Sequence, residues 1–116
     1  VQMRRALTGA MEVAQAANQY LDARAPWQAV KADRDHAAET LYVALNTIAG
    51  LVTMLNPVLP FTTQRAWEYL GHEGDVGIAG WRRTPVLAGT VLPEPGPLYR
   101  KLDDSVVAEE EARLGL

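Results

Sequence analysis

The chain has 116 residues, 48% of them hydrophobic, and a formal net charge of −3, a length and composition that suit one domain with a single modest core. It contains no cysteine, which excludes disulfides and thiolate metal sites. The negative balance argues against general affinity for duplex nucleic acid, which rests on a basic surface. Nine of the eleven basic residues are arginine, however, and three of the acids cluster as Glu109, Glu110 and Glu111, which leaves room for local recognition of a few exposed bases.

The opening residues VQMRRALTGA lack the apolar segment of a signal peptide. Val1 stands where an initiator Met would be, so the sequence reads as part of a longer protein. Met3, Leu7, Ala10, Ala14, Ala17 and Leu21 then recur every three or four residues and predict a helix with one apolar stripe. Pro26 disfavours helical geometry at Ala25, so this helix stops near Arg24. Pro26 to Lys31 reads as one short turn restarting after the break, because proline is tolerated at a first helical position.

Asp33 and Asp35 supply capping groups for a third helix. Its broad apolar face, from Ala37 or Ala38 through Leu41, Ala44, Leu45, Ile48, Leu51, Val52 and Leu55, predicts a central place in a bundle. Pro57 ends it. Pro60 and Thr62 lead into a shorter helix with Phe61, Ala66, Trp67 and Leu70 inward and Gly71 as its stop. Residues 72–97 hold most of the glycine and proline and show no helical period, which predicts an irregular arm with short extended pieces around Trp81 and Val86–Leu92. Asp103 to Leu114 reads as a polar helix capped by Asp103 or Asp104. No run of apolar residues approaches the roughly 20 that a membrane span needs. The expectation is an all-α fold: an antiparallel helical bundle over residues 1–71, with an irregular arm and terminal helix over residues 72–116 packed on the same domain.

Catalytic patterns are missing. There is no Gly-rich phosphate loop, no H-E-x-x-H and no G-x-S-x-G. His36 and His72 read as solvated structural residues, and Asp103-Asp104 as a helix cap rather than paired catalytic acids. The tryptophans carry more information. Trp67 falls on an inward stripe and reads as core, whereas Trp81 reads as an anchor of the arm. Trp27 follows a proline at a helix break, off both flanking stripes. Two readings fit it: a staple packing the turn onto the bundle, or a platform for an unpaired base, since single-stranded RNA is read by stacking splayed bases on aromatic rings. Arg24 and Lys31 flank it and could meet phosphates.

Ala17 to Asp22, followed by Ala25-Pro26-Trp27, resembles the N-x-Y-hydrophobic-D…P-W signature of the methionyl-tRNA synthetase anticodon-binding domain. Leu55 to Pro60 resembles that family's break before its last bundle helix. Trp67 with Leu70-Gly71 resembles the helix and its stop. Trp81, Pro85, Leu87 and Gly89, then Pro97-Leu98-Tyr99-Arg100-Lys101-Leu102-Asp103, resemble its C-terminal arm. The resemblance covers nearly the whole chain in the right order.

It implies the anticodon-binding part of a class I enzyme that attaches methionine to its tRNA using ATP, in the cytoplasm. In the family, the Trp matching Trp27 stacks on a base of the CAU anticodon and the Pro matching Pro26 lines the same site. The family also uses an Asn and an Arg from an upstream helix with no match here, so Asn18 does not take that role. Asn18 and Asp22 are expected to brace the turn through hydrogen bonds. The catalytic motifs are absent, so the chain alone is expected to be inactive and to hold no cofactor, with ATP and a candidate zinc belonging to the catalytic part of the parent. The expected partners are tRNA and that catalytic domain, with no membrane. A bundle without its first helix also exposes an apolar face, which predicts self-association. The competing readings are a helical protein-interaction module, favoured by the acidic charge, and the equivalent domain of a related class I synthetase with other tRNA specificity.

Overall fold

The structure, a computed structural model, describes residues 2–115. Its helices are α1 (Met3–Arg24), α2 (Pro26–Ala32), α3 (Arg34–Leu55), α4 (Pro60–Tyr69), α5 (Val76–Ala79) and α6 (Asp104–Arg113), and no strand occurs among the described residues. The fold is all-α. The connections from α1 to α2 and from α2 to α3 are single residues, Ala25 and Asp33. Both α1 and α2 lie against α3.

α3 is the centre. It packs against α1, α2, α4 and α5. By length and composition alone it could cross a membrane, and packing against four other helices buries only part of its apolar surface. Its buried positions are Ala37, Thr40, Ala44, Ala49 and Val52. Small side chains there allow close approach, whereas Leu41 and Ile48, predicted inward, are exposed.

The main core lies between α3, α4, α5 and the arm: Ala49, Val52, Trp67, Leu70, Val76 and Val86. Trp67 dominates it at 3% exposure, and its indole N–H donates to the Glu73 carbonyl at 3.2 Å. Gly71, at φ 83°, makes the left-handed stop after α4. A side chain there would meet Thr90 Cγ2 at 2.9 Å, so glycine serves both the turn and the close passage of the arm.

The arm is held differently from the expectation. Trp81 is 72% exposed and is not the buried anchor of the arm. The anchors are Val76 and Val86, each buried and each gripped by a side-chain amide. Asn46 donates to the Val86 carbonyl at 3.2 Å and accepts the Val86 N–H at 2.9 Å. Gln64 donates to the Gly74 carbonyl at 2.9 Å and accepts the Val76 N–H at 2.9 Å. These amides satisfy backbone groups that an irregular segment cannot pair within itself. The residues after α4 form the short helix α5, capped by Asp75, and no extended ladder. Phe61, predicted inward, is 86% exposed because it stands in the first turn of α4, beside Pro60 and beyond the end of α3.

Asp103 caps α6 by accepting the Ser105 N–H at 2.7 Å. Hydrogen bonds from the Ser105 hydroxyl and backbone hold this carboxyl below its ordinary range, so the cap is intact at neutral pH and lost as the carboxyl protonates in acid. α6 buries none of its residues, so the packing foreseen for the terminal helix is not realised. The histidines are half-buried rather than solvated. His72 stacks on Trp67 with ring centroids 4.3 Å apart. Its Nε2 and the His36 Nδ1 are buried without a hydrogen-bond partner.

The Cα radius of gyration is 17.5 Å, against about 13 Å for a compact 100-residue domain. The excess reflects an elongated shape, with extents of 58 × 34 × 28 Å. Met3, Met11 and Val13 of α1 and Leu41, Tyr42 and Val43 of α3 are exposed. One flank of α1, with Leu7, Met11, Ala14, Gln15 and Asn18, is open and uncovered by another element. Sedimentation equilibrium of the chain at rising concentration is expected to show reversible self-association through this face; a clean monomer would count against it. Replacing Trp67 by Ala should cost about 3–5 kcal/mol in urea unfolding. Replacing Trp81 by Ala should stay within about 0.5 kcal/mol.

Candidate nucleic-acid interface

The site is built on the break between α1 and α2. Ala25 stands there at φ 43°, ψ 61°, the sole non-glycine residue with positive φ among the described residues. Its N–H closes the last turn of α1 onto the Leu21 carbonyl at 2.8 Å. Its carbonyl accepts the N–H groups of Gln28 and Ala29, both at 3.0 Å, and so opens α2. One residue therefore ends one helix and starts the next. Left-handed geometry costs an alanine roughly 1–2 kcal/mol, so the surroundings must hold it.

Pro26 occupies the first position of α2 and is buried. Its fixed φ suits a helix start and its missing N–H leaves no donor unsatisfied. Trp27 follows it and is 57% exposed, so the staple reading accounts for Pro26 and not for the indole. Lys31 lies one helical turn on, at i+4, which places it on the same face as Trp27. It is exposed, as is Val30 between them. α2 thus presents an aromatic ring, an aliphatic side chain and a cation together.

Arg24 is placed differently. Its Nε donates to Thr40 Oγ1 at 3.1 Å and its Nη2 lies 3.6 Å from Glu39 Oε2. The guanidinium also sits 5.9 Å from the centre of the Tyr20 ring. It is turned toward α3 rather than toward the Trp27 face. Asn18 and Asp22 make no side-chain hydrogen bond among the described residues. Asn18 lies instead on the open flank of α1, and the bracing foreseen for these two falls to Arg24. Thr40 escaped the sequence reading. The signal was present: a polar residue in the register of Ala37 and Ala44, where a buried hydroxyl requires a partner.

The fold is thus an all-α domain that presents an exposed ring and a cation together at a proline-started helix. Residues 1–115 match the family described as the anticodon-binding domain of methionyl tRNA ligase. The chain belongs to that family.

Among curated relatives, a methionine–tRNA ligase of Dehalococcoides mccartyi is 44% identical over 113 residues, 97% of this chain and 20% of its own length. One from Roseiflexus sp. is 38% identical over 140 residues, covering 98% of this chain and 24% of the relative. One from Chloroflexus aurantiacus is 34% identical over 135 residues, covering 94% and 22%. The chain therefore spans about a fifth to a quarter of the length of these relatives. No solved structure matches it.

Because Ala25 carries the strain of the break, a glycine there should be tolerated with a change within about 1 kcal/mol, its relief of strain offset by a more flexible unfolded chain. The β-branched substitution Ala25→Val has no such relief and should destabilise by about 1–3 kcal/mol. Urea unfolding of the two variants measures the difference.

Proposed function

We propose that this domain recognises the CAU anticodon of a methionine tRNA by stacking a splayed loop base on Trp27, as part of a ligase that attaches methionine to that tRNA using ATP. The observation that carries the reading is the exposed indole of Trp27 held directly behind the buried Pro26. A ring carried on a stiff helix start leaves little backbone entropy to lose when a base settles on it, and stacking is worth about 1–3 kcal/mol per base. Lys31, on the same face, would meet a neighbouring phosphate without reading sequence.

In this reading the catalytic chemistry, with ATP and any zinc, belongs to the rest of a cytoplasmic parent. This chain supplies the stacking platform for an unpaired loop base, and hydrogen bonds from the upstream helix would complete the reading of its identity. Net charge is no obstacle, because base stacking acts at van der Waals range and does not require a basic surface.

Two measurements test the proposal. Trp27→Ala should weaken binding of a synthetic CAU anticodon stem-loop by about 5- to 150-fold, the equivalent of that stacking energy. A duplex RNA of the same length, with no unpaired base to stack, should bind the unaltered chain correspondingly less well. In the full-length ligase the same substitution should raise the KM for tRNA and leave ATP-dependent methionine activation intact. Equal loss of both activities, or a stem-loop affinity that Trp27→Ala leaves unchanged, would overturn the reading in favour of a structural or protein-binding role.

A further inference from the structure

α1 touches the rest of the fold chiefly through α3. Among the described residues, the side-chain polar links between these two helices all come from Arg24: its hydrogen bond to Thr40 and its ion pair with Glu39. Both lie in the last turn of α1, one residue before the strained Ala25 and three before Trp27.

The acceptor is built for the purpose. Thr40 is fully buried, at 0% exposure. Its hydroxyl donates to the His36 carbonyl at 2.9 Å. With that proton committed, the oxygen can only accept at its remaining position, where Arg24 Nε stands at 3.1 Å. The Tyr20 ring borders the same guanidinium. A planar group held by a directed hydrogen bond, an opposite charge and an aromatic neighbour is constrained in orientation as well as position.

We propose that Arg24 is a positioning residue for the Trp27 site. By pinning the end of α1 to Thr40 and Glu39 it holds the Ala25 bend, and through that bend it sets the direction in which Pro26 and Trp27 are presented. The inference rests on the reading of Trp27 as a base platform and adds a residue that acts on RNA without touching it. The competing role, a direct phosphate contact by Arg24, would require the phosphate to compete with Glu39 for the guanidinium.

The two roles separate in a double-mutant cycle. The chain, Arg24→Gln, Trp27→Ala and the double variant are titrated with a labelled CAU anticodon stem-loop at several salt concentrations, with circular dichroism melting of each. Loss of preorganisation of one ring predicts that Arg24→Gln weakens binding about 3- to 10-fold. In the Trp27→Ala background it should have no further effect, because the residue it positions is gone. The salt dependence should stay as in the unaltered chain, whereas Lys31→Ala should lower the slope of log K against log salt by about 0.7.

Thr40→Val removes the acceptor without changing charge and should reproduce Arg24→Gln; it decides the matter if Arg24→Gln does not fold. Additive effects of Arg24→Gln and Trp27→Ala, or a fall in salt slope for Arg24→Gln like that of Lys31→Ala, would overturn the positioning role while leaving base stacking in place. No loss of binding in Trp27→Ala itself would overturn both.

Discussion

The left-handed alanine between α1 and α2 is the constraint on which the arrangement depends. A glycine would reach that geometry without strain, and a longer loop would avoid it. This chain instead places Ala25 there and follows it with a proline. The break is therefore stiff on both sides: the last turn of α1 is bonded through the Ala25 N–H, and α2 begins on the Ala25 carbonyl. A stiff corner transmits position. Whatever fixes the end of α1 also fixes the start of α2, and Arg24 with Thr40 fixes the end of α1.

Helix positions were largely legible because their boundaries are chemical. Pro26, Asp33, Pro57, Pro60, Gly71 and Asp103 each impose a local rule, and the observed helices begin or end within a few residues of them. Inward faces were less legible. The α3 stripe pointed to Leu41 and Ile48, yet the buried register runs through Ala37, Thr40, Ala44 and Ala49. Hydrophobicity alone ranks leucine above alanine and threonine. Close helix packing reverses that order, since small residues let backbones approach and large ones are displaced to the flanks.

The arm shows the same limit in another form. Trp81 drew the anchoring role because it is the largest apolar residue in the segment, but Val86 and Val76 hold the arm through backbone bonds to Asn46 and Gln64. An amide side chain on a helix gives no periodic signal, and its partner lies 40 residues away for Asn46. Such pairings follow from tertiary geometry. Trp27 and Pro26, by contrast, were legible as a unit, because proline is favoured at the first position of a helix and so places the residue after it in the same first turn. The distinction between Arg24 and Lys31 was not. Both are cations flanking the tryptophan, and only the turn of α1 against α3 sends one inward and leaves the other beside the ring.

That division bears on how an acidic domain can serve RNA. Of the two cations beside the site, one is engaged with Glu39 and Thr40, so the exposed face of α2 offers a single positive charge at Lys31. Phosphate attraction that modest contributes little affinity for an arbitrary strand and falls further with salt. The ring contributes through contact area, which requires an unstacked base and therefore a loop. A net charge of −3 strengthens this bias by repelling duplex backbone at a distance. Under the proposed stacking role, selectivity for a loop over a helix would come from the same feature that first argued against nucleic-acid binding: with electrostatic attraction kept low, binding would depend on whether a base can leave its stack and reach Trp27, and on how firmly Ala25 and Arg24 hold that ring in place.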